Sequence, residues 1–243
     1  MREMDRVLLS KNLVAANLNE HIQYRYKMYF KDEVTDIEGE AGVIETKQTN
    51  LNNSERIFIV NFFGSKVAIN GYKNILKGNK LVVPYSKMNP EIKVCNQFII
   101  SYKSIRESIL NLLAMMSTEF VHEVLVTGYG QGAAYAQLCA LDLQYNFPNY
   151  SPKIYCYTWG GCKVGNKHFK ASFEKRVQKC IRITNSNDMV TKLPFFFCKH
   201  AGNELHIGKP KRWWKFNATD KDLGKYFYNF DKWIQNVSSI RIY

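Results

Sequence analysis

Three glycines in five residues, Gly128-Tyr129-Gly130-Gln131-Gly132, form the stretch of this 243-residue chain best suited to chemistry. They follow Val124-Leu125-Val126, an apolar run of the kind buried on both faces of a parallel sheet. They precede Ala133 to Leu143, where apolar residues recur at helical spacing. A strand that becomes a helix over such a turn must bring its backbone close to something or adopt dihedrals that side chains disfavour. Two kinds of chemistry use it. In Gly-x-Ser-x-Gly, a serine nucleophile sits on a strained corner with its hydroxyl exposed above the sheet. In Gly-x-Gly-x-x-Gly or Ala, a pyrophosphate approaches the helix N-terminus, and Gly128, Gly130 and Ala133 satisfy that spacing. The second pattern also needs an acidic residue about 20 positions on, at the end of the next strand. The next apolar run, Ile154 to Trp159, ends in Trp159-Gly160-Gly161, and Asp142 falls too early, inside the helix. The nucleophile corner therefore ranks first, with a dinucleotide-binding module as an alternative.

At the nucleophile's place the corner carries Gly130, which has no side chain to attack with but tolerates the strained dihedrals. Serine hydrolysis needs a hydroxyl, a histidine to take and return its proton, and a carboxylate to hold the histidine's tautomer. Of the five histidines, His21 and His122 precede the corner, His168 falls on a surface helix, and His200 and His206 fit a strand pair. None follows His206.

The elements that must position these groups alternate along the chain. Val7 to Tyr29 reads as a helix or two and Asp32 to Glu55 as polar and turn-rich. Ile57 to Phe63 is a strand ending in Gly64-Ser65. After a short apolar run at Leu81 to Val83, Val94 to Met116 is a helix with Phe98, Tyr102, Ile105, Ile109 and Leu112 on one face. A strand at Ile154 to Trp159, a helix around His168 to Val177 and a strand at Cys180 to Thr184 follow the central helix. This order predicts an α/β fold with a mostly parallel central sheet and helices on both faces. The length fits a single domain over residues 1–243.

In this order the motifs resemble the class 3 lipase family, the fungal-lipase-like α/β-hydrolases, from about Ile57 to Tyr226. Phe63-Gly64-Ser65 is similar to the family's Arg-Gly-Thr or Arg-Gly-Ser turn, and Gly71 to Leu76 to the Asp-Trp-Leu segment after it. Val94-Cys95-Asn96-Gln97-Phe98 with Tyr102 resembles Val-His-x-Gly-Phe…Tyr. Thr127 to Ala134 stands where the family has Thr-Gly-His-Ser-Leu-Gly-Gly-Ala. Tyr157 to Gly160 and Val164-Gly165-Asn166 resemble Thr-Phe-Gly…Val-Gly-Asn. Arg182 to Val190 with Leu193-Pro194 resembles the segment bearing the catalytic aspartate, and His200 to Glu204 the His-x-Gly-x-Glu after it. The resemblance implies an α/β-hydrolase fold, Asp188 at the triad carboxylate, and Ser65 with the main-chain N–H of Gln131 as oxyanion or ligand-binding groups. The family's histidine comes before a Tyr in the closing helix, where this chain has Lys221 and Asp222 ahead of Tyr226. With Gly130 replacing the nucleophile, the expectation is a non-catalytic lipase homologue that binds a lipid, a fatty acid or a protein partner and needs no cofactor or metal. The alternative is an active lipid or ester hydrolase with a displaced nucleophile.

Composition narrows the partners less. The net charge of +13 and pI near 9.4 favour an acidic partner, yet no nucleic-acid-binding motif appears. The densest basic and aromatic stretch, Lys209 to Phe216, suggests peripheral contact with an anionic membrane through Lys211, Arg212, Trp213 and Trp214. No apolar run is long enough to span a bilayer and no secretory signal is evident, so a cytoplasmic location with six reduced cysteines is expected. Abundant Lys, Asn, Ile, Tyr and Phe, all with AT-rich codons, point towards an AT-rich genome such as that of a large DNA virus.

Overall fold

Side chains of successive residues in β-strands face opposite ways, and here both directions are apolar, so the sheet carries a core on each face. The computed structural model describes residues 3–15, 24–47, 54–64, 80–86, 88–116, 121–148, 153–194, 197–209 and 220–240. Its elements run α1 (Glu3–Ala15), β1 (Tyr24–Asp32), β2 (Ile37–Lys47), β3 (Ser54–Phe62), β4 (Leu81–Val82), β5 (Val94–Cys95), α2 (Asn96–Met115), β6 (Glu123–Tyr129), α3 (Gln131–Asn146), β7 (Ile154–Trp159), α4 (Lys167–Arg176), β8 (Lys179–Asn185), β9 (Asn203–Ile207) and α5 (Leu223–Ile240). The main sheet has the order β1-β2-β3-β6-β7-β8-β9, antiparallel from β1 to β3 and parallel from β3 to β9. β6, which leads into the glycine corner, is its middle strand.

Phe58, Val60 and Phe62 of β3 and Val124 and Val126 of β6 face one core, shared with α2, α3 and α4. Ile57, Ile59 and Leu125 face the other, which is closed by Val7 and Leu13 of α1 and by Tyr226 and Phe230 of α5. α1 is fixed to the sheet by polar contacts as well. The Arg6 guanidinium donates to Glu123 with Nε···Oε2 2.9 Å and lies 4.0 Å over the Tyr155 ring, and Tyr157 donates to Glu3 at 2.6 Å. The expected α/β architecture, mostly parallel with helices on both faces, is therefore present.

Three sequence expectations are corrected. Tyr24 to Tyr29 is strand rather than helix. Beyond an irregularity between Tyr24 and Tyr26, Met28 and Phe30 turn inward while Lys27, Tyr29 and Lys31 stay exposed, a strand alternation that a helical template overlooks. Within Asp32 to Glu55, the polar stretch read as turns, lies β2. Its Glu40 is 3% exposed, and its carboxylate is satisfied by Tyr24 Oη at 2.8 Å, Asn61 Nδ2 at 3.3 Å and Lys27 Nζ at 2.6 Å. Finally, His200 and His206 do not form a strand pair. His206 lies in β9, which runs parallel to β8, and His200 precedes it in a loop.

Candidate functional site

Gly130 is the pivot between β6 and α3, with φ 58° and ψ −116°, a conformation that a side chain strains. The glycines on either side allow close approach of backbone. A Cβ on Gly128 would come within 2.5 Å of the Gly132 carbonyl oxygen, and one on Gly132 within 2.4 Å of the Phe62 oxygen. The first turn of α3 is thus pressed onto the end of β3. At Gly130 itself a Cβ would meet nothing within 4 Å, so the space over the corner is open. The corner is tied to the neighbouring strand by Gly130 N donating to the Trp159 oxygen at 2.9 Å.

Gln131 is the first residue of α3, where the main-chain N–H has no intrahelical acceptor and points out of the helix end. Its side chain turns away and donates to Tyr135 Oη at 2.6 Å. Among the described residues no side chain caps this helix, so its first-turn main-chain N–H groups are donors at the corner.

Asp188 follows β8 and is 2% exposed. One oxygen accepts from Val190 N at 2.9 Å and the other from the Tyr226 hydroxyl of α5 at 2.6 Å. Burial pushes its carboxyl up to about 6, against the lowering effect of the Tyr226 hydrogen bond. Burial and the nearby Asp188 together hold the Tyr226 phenol well above its ordinary range, so it stays protonated and acts as the donor. This pair sits beside the corner. Gly160, which directly follows Trp159, has φ 60°, and a Cβ there would lie 2.9 Å from the Tyr226 hydroxyl and 3.1 Å from Asp188 Oδ2.

The residues expected at the histidine's place do something else. Asp222 accepts from Lys225 N at 3.2 Å and Tyr226 N at 3.1 Å, the contacts of an N-cap on α5. Lys221 is half-buried, and its charge slightly offsets the rise at Asp188. Of the described histidines, His122 Nδ1 accepts from Arg56 N, His168 faces Glu91, His206 lies between Thr184 and the Lys209 carbonyl, and His200 Nε2 is 2.6 Å from the Thr191 oxygen. Ser65 and Lys211, Arg212, Trp213 and Trp214 lie outside the described residues. Tyr226 as the partner of Asp188 was missed by sequence reasoning, which used it only as a landmark in the closing helix. Its only signal is an aromatic residue with a hydroxyl early in that helix. Trp159, where a ribose-binding acid would stand, is fully buried and donates to Ser10 at 3.2 Å, so the dinucleotide alternative finds no carboxylate there. Among the described residues no group of three or more His, Cys, Asp and Glu could hold a metal.

The chain matches the family Lipase (class 3) over residues 59–198, more than half of its length. It is 39% identical over 90 residues to phospholipase A(1) DAD1, chloroplastic, of Arabidopsis thaliana, covering 37% of this chain and 20% of that protein. It is 25% identical over 186 residues to phospholipase A1-IIbeta of the same plant, covering 67% and 44%. Such curated relatives are matched over less than half of their own length. Among solved structures, the mono- and diacylglycerol lipase from Aspergillus oryzae superposes with a TM-score of 0.69 at 21% identity, covering 90% of this chain and 84% of that one. The Rhizomucor miehei triacylglyceride lipase gives 0.67 at 21%, covering 85% and 81%. These findings overturn the expectation that the chain is not an enzyme. The relatives are named phospholipases and lipases, so the family is one of hydrolases, and the missing hydroxyl at Gly130 establishes only which atom is not the nucleophile. By its matched residues and its fold, the chain belongs to the class 3 lipase family.

Proposed function

We propose that this chain handles acyl lipid esters, holding the ester carbonyl at the main-chain N–H of Gln131 over the open corner at Gly130. The observation that carries this reading is the corner itself. A strand, a residue at φ 58° and ψ −116° and a 16-residue helix bring first-turn N–H groups, which have no intrahelical acceptor, to a corner where a Cβ on Gly130 would meet nothing within 4 Å. The names of the relatives support an ester lipid as the ligand class. Ser65, three residues after β3 in the sequence, is proposed as the second donor. Asp188 is proposed as the family's triad carboxylate, here occupied by the Tyr226 hydroxyl. Gly130 bars an acyl-enzyme at its own position, so any turnover uses another nucleophile. Contact with the lipid surface is assigned to Lys211, Arg212, Trp213 and Trp214.

The test separates the main-chain donor from the side chain. Gln131→Pro keeps a residue suited to the first helical position but deletes both its N–H and the side-chain bond to Tyr135, so it is compared with Gln131→Ala, which loses only the latter. Binding of a short-chain phosphatidylcholine below its micellar concentration should weaken about five- to tenfold, the worth of roughly 1 kcal/mol for one hydrogen bond. The matching ether lipid, which has no carbonyl, should bind both forms alike. Release of fatty acid in the same samples measures turnover directly. Equal ester binding by the two proteins would remove Gln131 from the site.

A further inference from the structure

Away from the corner at Gly130, α2, α3 and the loop before β5 line a cavity of about 480 Å³, within the range of small-molecule sites. Its apolar walls include Pro84, Met88, Val94, Leu138, Leu141 and Phe169. The α3 residues in it, Leu138 to Asn146, lie 8 to 16 positions beyond Gly130. At the rise of a helix they are about 12 to 24 Å further along the axis, so the cavity is separate from the open corner.

The polar groups of the cavity are unequal in what they have left to offer. Asp142 is saturated, accepting from Arg106 Nε at 2.5 Å, Arg106 Nη2 at 3.1 Å, Tyr102 Oη at 3.0 Å and Asn146 Nδ2 at 3.0 Å. Arg106 spends its remaining terminal nitrogen on Glu107. The Tyr85 hydroxyl, by contrast, is buried and makes no well-formed hydrogen bond among the described residues, with the Arg106 guanidinium as its polar neighbour. Burial also pushes the Tyr85 phenol up, so it is a proton donor at any ordinary pH. A buried unpaired hydroxyl costs about 1–3 kcal/mol, which an accepting oxygen on a ligand would recover once the Tyr85 side chain turns its covered hydroxyl into the cavity. The ion pair inside carries no spare positive charge, so a carboxylate or phosphate has nothing to meet there. Lys103, with its ammonium 4.9 Å over the Tyr85 ring, is exposed and is not one of the cavity's walls.

We propose that this cavity is a second lipid site, taking one neutral single-chain lipid whose ester or alcohol oxygen accepts a hydrogen bond from Tyr85. The inference does not rest on the proposed ester site at the Gly130 corner, and the two can fail separately. The probe is a monoacylglycerol with a photoreactive acyl chain, compared with the fatty acid of the same chain. Crosslinked peptides from the wild type are expected to map to Met88 and to Leu138–Tyr145, and the Gln131→Pro variant should label identically. Leu141→Trp, which fills the space, should abolish the label. Tyr85→Phe should lower affinity about fivefold. Without ligand, Tyr85→Phe should leave stability unchanged or raised, because it deletes an unsatisfied hydroxyl. A Tyr85→Phe protein that binds as the wild type does, or labelling confined to peptides around Gly130, would overturn the proposal. Fatty acid binding as tight as monoacylglycerol would overturn the neutral ligand and point instead to Lys103.

Discussion

Asp188 and His200 are two buried titratable groups whose contributions to stability run in opposite directions with pH. Asp188 has its pKa raised from 3.8 to about 6 by burial, so between those values the folded protein holds a proton that the unfolded chain has released. Its contribution to stability is therefore largest below about pH 4 and is lost as pH rises through about 6, by roughly 3 kcal/mol. His200 has its pKa lowered from 6.5 to about 3 by burial, helped by the charges of Arg182 and Lys163. The unfolded chain takes up the proton first, so its contribution is complete above 6.5 and is lost as pH falls below that value. Between pH 4 and 6 the two slopes oppose each other. Urea midpoints across this range should show Asp188→Asn gaining on the wild type as pH rises, while His200→Gln loses ground over the same interval. Parallel curves for all three proteins would mean that neither group titrates as its surroundings dictate. Asp188 was legible in the sequence as a candidate carboxylate. Its partner Tyr226 was not, because the contact joins a loop after β8 to a helix 38 residues later, and no local spacing encodes such a meeting.

Among the elements, β2 shows how polar residues can be made to serve a sheet interior. Gly39 lies where a Cβ would come within 2.3 Å of the Asn61 carbonyl oxygen and 2.5 Å of the Phe30 ring, both in neighbouring strands. The glycine is required by close packing across three strands and not by a turn. Gly39→Ala should destabilise the protein by about 2–3 kcal/mol through overpacking, lowering the melting temperature by about 5–10 °C. A thermal melt unchanged within a degree would show that β1 and β3 can move apart at no cost. This strand also marks the boundary of what a single sequence can disclose. The parallel strands β3, β6, β7 and β8 were readable because they are continuous apolar runs buried on both faces, and their helices followed from the 3.6-residue period. β2 was hidden because Glu38, Gly39, Glu40 and Gly42 carry the composition of a turn. Their burial is made possible by Tyr24, Tyr29 and Lys27 on β1, partners that only the pairing of strands reveals. The glycine corner was legible in both position and conformation, because three glycines between a strand and a helix leave the backbone few alternatives.

At the scale of the whole molecule, 34 basic residues against 21 acidic ones give a field that reaches an anionic surface before any specific contact forms. None of the described helices is long and apolar enough to cross a membrane, so an encounter mediated by these elements would be at the surface. The stretch from Lys209 to Phe216 concentrates four cations with two tryptophans and a phenylalanine. Each lysine or arginine near an anionic bilayer is worth about 1 kcal/mol, and tryptophan settles at the headgroup boundary. Bulk charge and a local patch make different predictions, and vesicle co-sedimentation separates them. If the field alone acts, Trp213→Ala with Trp214→Ala should sediment with anionic vesicles as the wild type does, and 0.5 M salt should release both, the Debye length then being about 4 Å. With a local patch, the expected outcome here, the double tryptophan variant binds at least tenfold more weakly. Lys211→Glu with Arg212→Glu then loses more than its share of the net charge would give, and neutral vesicles retain a residue of wild-type binding through the rings. Uniform binding of all three proteins would return the interaction to net charge alone and leave the Gly130 corner and the cavity as the lipid contacts to pursue.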